Sequence, residues 1–278
     1  MCQLKSGIIL KNRVFVPEYD SHTEMLEELG IKDDYLNASK TFVRVELSPA
    51  NGDVFSDIDT WKLNVDQDIT PEWYDEDTYK PQVVEAVKAW AKDHIHIDVD
   101  DLKISTGRNH YIKNCKAVNI CDNATVKYIY GNATVEYIYG NATVENICDN
   151  ATVENICNSA TVENICNSAT VENICDNATV KNIYGNATVE NICNSATVEN
   201  ICGNATVENI CDNATVENIC DNATVKTVKG TAVIIGSEYG WNKKDTLVLT
   251  ENATFKDCQS KTIYQSGNWK LVSVTEEK

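Results

Sequence analysis

Three sets of side chains in this sequence could do chemistry. The first is His94-Ile95-His96-Ile97-Asp98-Val99-Asp100. In an extended strand alternate residues share a face, so His94, His96, Asp98 and Asp100 would stand together with the apolar residues opposite. Imidazole with carboxylate suits Zn2+ or Fe2+, and His94, His96 and Asp98 are the expected ligands. The alternative is an edge strand with a polar outer face, and a helix over 81–93 could also run on into His94.

The second set is a file of cysteines. Nine of the twelve, Cys121, Cys148, Cys157, Cys166, Cys175, Cys193, Cys202, Cys211 and Cys220, are separated by multiples of nine. Tyr130, Tyr139 and Tyr184 occupy the same position elsewhere. A metal or redox ladder would not accept Tyr in place of a ligand, and a closed core slot would not accept the added volume. The position therefore reads as a small apolar filler at a roomy or partly exposed corner. Each of the three Tyr precedes Gly, as if the bulkier side chain needed a bare neighbour. Stacked strands point their Cβ atoms alike, a poor geometry for disulfides.

The third set is glutamates carried by the same repeat. From Asp122 twelve nonapeptides follow one another, of which Asp149-Asn150-Ala151-Thr152-Val153-Glu154-Asn155-Ile156-Cys157 is representative. A short fixed period means a solenoid. A helix is excluded, because β-branched Thr, Val and Ile and an Asp/Gly/Asn-Asn/Ser pair recur in every unit. Position 1 is only Asp, Asn or Gly, the residues that accept a left-handed backbone, so it is a corner. Positions 3 to 6, Ala-Thr-Val-Glu/Lys, alternate with Ala and Val inward. The Asn at position 7 should stack on its equivalents, and the Ile at position 8 belongs to the core.

Two nonapeptides make an 18-residue coil with two facing strands, so twelve units give six coils, roughly 29 Å at about 4.8 Å per rung. Alternate units then share a face. One face stacks Glu136, Glu154, Glu172, Glu190 and Glu208, ending in Lys226. The other stacks Lys127, Glu145, Glu163, Lys181, Glu199 and Glu217. Five carboxylates about one rung apart repel one another, and a basic partner or a cation would relieve them. Calcium is disfavoured because the units lack the Gly-rich, Asp-in-turn pattern of calcium-binding nonapeptides. A solvated face that keeps the solenoid soluble is the alternative.

No nucleophile elbow, phosphate loop or His/Cys pair with a base is present, and no cofactor is expected. Asp57, Asp59, Asp66 and Asp68 could form a carboxylate pair, but their spacing singles none of them out.

These residues need elements to carry them. The first hundred residues read as an α+β head. Ile8–Leu10 and Val14–Val16 flank Lys11-Asn12 as a hairpin. Ser21-His22-Thr23-Glu24 is a capping box opening a helix to Leu29. Thr41–Leu47 and Trp61–Val65 are strands, and Pro81 starts a helix with an apolar stripe of Val83, Val84, Val87, Trp90 and Ala91. Residues 101–120 are a junction and N-terminal cap, 121–226 the solenoid, and 227–278 a C-terminal β cap, with Phe255 and Trp269 closing the narrow core. The expected fold is mainly β: a right-handed parallel β-solenoid between that head and that cap.

The chain has 278 residues and a net charge of −18. The charge divides as −11 over 1–100, +3 over 101–120, −11 over 121–226 and +1 over 227–278. That excludes direct binding to nucleic acid or to an anionic membrane, both of which need clustered Lys and Arg. No run of 18 apolar residues exists, and Met1–Lys5 lacks the apolar stretch of a signal peptide. A cytoplasmic location with reduced thiols is expected.

Ser6-Gly7-Ile8-Ile9-Leu10-Lys11, Val14-Phe15-Val16-Pro17 and Asn64-Val65-Asp66-Gln67-Asp68-Ile69, followed by Asn-Ala-Thr-Val repeats, resemble a group of uncharacterised proteins from gut bacteria and their phages. The resemblance covers nearly the whole chain and implies a small N-terminal domain with a β-solenoid tail. It implies no activity and no site residues. The repeat logic is also similar to that of pentapeptide-repeat proteins, some of which are acidic β-helices that imitate DNA. The expected function is a non-enzymatic, phage-derived binding protein whose acidic solenoid engages a basic host protein, as a DNA mimic or anti-defence factor. The alternatives are a structural spacer that displays the head, and a metal-dependent activity in the head.

Overall fold

The computed structural model describes residues 5–49 and 51–267. The chain divides into two compact units, one running to Ile97 with Gly107–Tyr111 added, the other made of Asp98–Thr106 and the chain from Ile112 onward.

The first unit holds a four-stranded antiparallel sheet in the order β2-β1-β3-β4, with β1 Lys5–Leu10, β2 Arg13–Phe15, β3 Phe42–Ser48 and β4 Lys62–Val65. Strand alternation splits its side chains between two layers. Ile9, Val43, Val45 and Leu47 pack with Val83, Val84, Val87 and Trp90 of the long helix α3, Glu76–His94. Ile8 and Phe42 pack on the other side with Met25 and Leu26 of helix α1, His22–Glu28. The capping box is as expected at its first contact, with the Ser21 hydroxyl accepting from the Glu24 amide. Helix α2 is the single turn Tyr35–Ala38.

Helix α3 corrects the sequence reading, for it spans Glu76–His94 and begins five residues before Pro81. Asp75 is its N-cap, accepting from the Thr78 amide, and Glu76 and Asp77 favour the positive end of the helix dipole. A proline near the first turns removes one amide and does not end the helix.

The second unit is a parallel β-solenoid of about nine turns. Every repeat strand pairs with the strand 18 residues away, as in Thr134↔Thr152 and Ile174↔Ile192, so a coil is two nonapeptides. All twelve corners have a positive φ, from 56° at Asp122 to 73° at Gly185. The amide of position 2 then reaches the position-1 carbonyl of the previous coil, as from Asn141 to Asp122 at 2.8 Å. Ala, Val and Ile at positions 3, 5 and 8 are buried throughout the repeat and fill the narrow interior.

The solenoid is longer than the repeat that announces it. Lys103–Ile104 and Val118–Ile120 already form rungs, pairing in parallel with each other and, through Val118 and Ile120, with Thr134–Ile138. At the other end Val233–Trp241 and Thr254–Asp257 continue the stack, and Thr262–Gln265 closes it by pairing antiparallel. Phe255 plugs the core as expected, in edge contact with Trp241 at 5.4 Å, while the Trp241 indole N–H donates to the Ala223 carbonyl at 2.6 Å. Trp269 lies outside the described residues. No described helix is long and apolar enough to cross a membrane.

Candidate functional site

The charged faces are built on ladders of asparagine. From Asn164 to Asn218 each position-7 side-chain amide donates to the Asn of the previous coil, while Asn146 and Asn155, which follow Tyr128 and Tyr137, donate to the Lys127 and Glu136 carbonyls. Asn173, Asn191 and Asn209 do so on one face at 3.1–3.2 Å. Asn164, Asn182, Asn200 and Asn218 do so on the other at 3.0–3.1 Å. An amide offers both donor and acceptor, so it can repeat itself without leaving a group unpaired. The neighbouring position-6 side chains are thereby held in register.

The register places Glu136, Glu154, Glu172, Glu190 and Glu208 in one file. Its ends are satisfied. The Asn119 amide donates to Glu136 at 3.1 Å and the Lys226 ammonium to Glu208 at 2.6 Å. Between them Glu154, Glu172 and Glu190 are exposed, and no ion pair to them exists among the described residues. The opposite file is partly compensated, Lys127 pairing with Glu145 and Lys181 with Glu163 at 2.9 Å, while Glu199 and Glu217 at its end have no ion pair among the described residues. Several corner aspartates are spent on structure, since Asp176, Asp212 and Asp221 accept from the amides of Asn158, Asn194 and Gly203 one coil earlier.

The cysteines form two corner files. One reads Cys121, Tyr139, Cys157, Cys175, Cys193 and Cys211, the other Tyr130, Cys148, Cys166, Tyr184, Cys202 and Cys220. Exposure is mixed. Cys121, Cys148 and Cys166 are buried, Cys157 and the cysteines from Cys175 onward are partly open, and Tyr184 is exposed. Burial pushes the Cys175 and Cys211 thiols up to about 11. Cys148 and Cys166 approach to 2.8 Å. Cys148 keeps its proton and shares it with Cys166, whose pKa falls to about 7. After Tyr139 and Tyr184 the glycine fits closely on the coil below, because a Cβ at Gly140 or Gly185 would stand 2.9 Å from the backbone nitrogen of Asp122 or Asn167, while a Cβ at Gly131 would meet the Asn114 side chain.

His94, His96 and Asp98 are not brought together as one face of a strand. His94 ends α3, its Nδ1 2.8 Å from the Trp90 carbonyl. The strand is only Ile95–Ile97, and Asp98, in the second unit, turns to a φ of 54°. Imidazoles stack instead. His94 lies on Trp90 at 4.8 Å and on His110 at 5.1 Å, and His96 lies on His110 at 5.5 Å. Burial, with His110 and His94 nearby, lowers the His96 pKa to about 4. The fourth histidine, His22, is the one placed among carboxylates, with Glu46 and Asp66. Sequence reasoning weighed Asp66 only as one member of a carboxylate pair and did not single out His22 or Glu46. The available signals were the capping box, which starts α1 at His22, and the strand alternation that sets Glu46 on the α1 side of the sheet.

Compared with protein-family models, curated proteins and solved structures, the chain matches none.

Proposed function

We propose that the protein is a non-enzymatic binding protein whose acidic solenoid face engages a basic partner. The observation that carries this reading is the run Glu154, Glu172 and Glu190, three consecutive exposed carboxylates with no compensating cation among the described residues. The surrounding charge density supports it. Eleven net negative charges over 121–226, spread along roughly 29 Å, give one per ~2.6 Å. Single-stranded and duplex DNA carry one per ~3.4 and ~1.7 Å. On the acidic face alone the carboxylates recur once per coil, about one per 4.8 Å, so a protein that reads phosphates with Lys and Arg would meet a regular, sparser line of charge, held in register by the asparagine ladders. In its finer form the partner is a nucleic-acid-binding host protein, the protein is a phage-derived DNA mimic with an anti-defence role, and the encounter is cytoplasmic.

The test is capture from host lysate on the immobilised full chain, with elution by salt and competition by duplex DNA. The reading expects basic proteins that leave as salt rises and that DNA displaces. Capture indifferent to both would overturn it. The uninterrupted 18-residue register favours a second reading, a stiff spacer that displays the head. Removing one whole coil would then leave activity intact.

A further inference from the structure

We propose that His22, Glu46 and Asp66 bind a first-row divalent cation of the Mn2+, Fe2+ or Zn2+ class in the first unit. The surroundings of His22 fix its tautomer. Its Nε2 lies 3.1 Å from the Val45 carbonyl, which can only accept, so Nε2 carries a proton. Nδ1 is then directed at Asp66 Oδ2, 3.1 Å away, and the Glu46 carboxylate completes a group whose ligand atoms all lie within 4.8 Å of one another. A lone pair and two carboxylates facing one another need positive charge between them.

A second proton on His22 would supply one charge against two carboxylates, whereas a divalent ion balances both. The cation beside Asp66 in that cleft, Arg44, is committed to Asp33. Glu46 is buried and has no ion pair among the described residues, and a buried carboxylate without a cation is costly. A separate observation points the same way. Ser6 is directly opposite Glu46 in the β1–β3 ladder, on the same face, and its buried hydroxyl has no hydrogen-bond partner among the described residues.

The geometry suits an ion. Metal–ligand bonds of about 2.1 Å place adjacent ligands roughly 3.0–3.4 Å apart, and the His22–Asp66 separation falls in that range. A ligating imidazole ordinarily donates its other N–H to a carbonyl or carboxylate, which is what Val45 receives. Access is also provided. The Asp66 side chain is more than half exposed and lines an open cleft of about 740 Å3 with Asp33, Asp34, Arg44, Gln67 and Asp68.

The test uses Mn2+, which thiolates bind poorly, so the cysteine corners do not compete. Mn2+ is titrated into the full chain and followed by electron paramagnetic resonance. The expected result is one ion per chain, affinity at least about tenfold weaker in Asp66→Asn and in Glu46→Gln, and no change in Asp98→Asn. Asp66 is exposed, so its variant keeps the fold if the buried Glu46 variant does not. Absence of binding, or binding that Asp66→Asn leaves untouched, would overturn the proposal. So would an NMR signal showing His22 protonated on both nitrogens with Mn2+ present.

Discussion

On one long face of the solenoid Glu154, Glu172 and Glu190 follow one another without an ion pair among the described residues. On the other, the same repeat position reads Lys127, Glu145, Glu163, Lys181, Glu199 and Glu217, and both lysines are paired, with Glu145 and Glu163. Beneath both faces lie the same Ala, Val and Ile, all buried, and beside both runs the same asparagine ladder. The difference teaches that stability and recognition are separable here. The interior and the ladders hold the coil, and position 6 is free to vary because it supports neither.

The comparison can be pressed first at the core, where the faces should behave alike. Ile174→Ala on the acidic face and Ile165→Ala on the compensated face should each cost about 3 kcal/mol in denaturant unfolding. A difference of more than about 1 kcal/mol between them would mean that the two interiors are not equivalent. Next come the ladders. Asn173→Ala and Asn182→Ala each leave neighbouring amides without a partner, and each should lose about 1–2 kcal/mol by the same measurement. Loss on one face alone would break the symmetry.

Charge should then separate the faces. Glu172→Lys inserts a cation between Glu154 and Glu190 and should raise Tm slightly, whereas Lys181→Glu aligns five carboxylates, from Glu145 to Glu217, and should lower it, each by about 1–2 °C. The effect should fade as salt rises, and equal signs would contradict the assignment of the files. The smallest effect on stability is at the corners. Alkylation of the Cys148–Cys166 pair should turn on with a midpoint near pH 7, because one shared proton eases the first ionisation. Cys175 and Cys211, raised by burial, should need a pH near 11. Mass spectrometry of labelled peptides reads both, and a common midpoint near the ordinary thiol value would remove the distinction.

The solenoid was legible because its information is local and repeated. Position 1 declares the corner, alternation declares the interior, and a period of nine doubled to 18 assigns Glu154 and Glu172 to one face. Lys103–Ile104 and Val118–Ile120 form rungs without the repeat, so nothing periodic marks them. The cap plug at Trp241 was hidden because it is reached by long-range packing under Ala223. The start of α3 was misplaced because proline was given more weight than the Asp75 cap. His22, Glu46 and Asp66 are brought together by strand pairing and helix docking across 44 residues, a distance over which spacing carries no chemical signal.

The central claim, that the bare file on one face is the recognition surface, is tested most directly by removing three charges from each face in turn. Glu154→Gln/Glu172→Gln/Glu190→Gln and Glu145→Gln/Glu163→Gln/Glu199→Gln change the net charge equally, and both should fold. Capture from the same lysate, quantified by mass spectrometry, should lose the salt-sensitive basic proteins with the first triple variant and retain them with the second. Equal retention or equal loss would contradict the account.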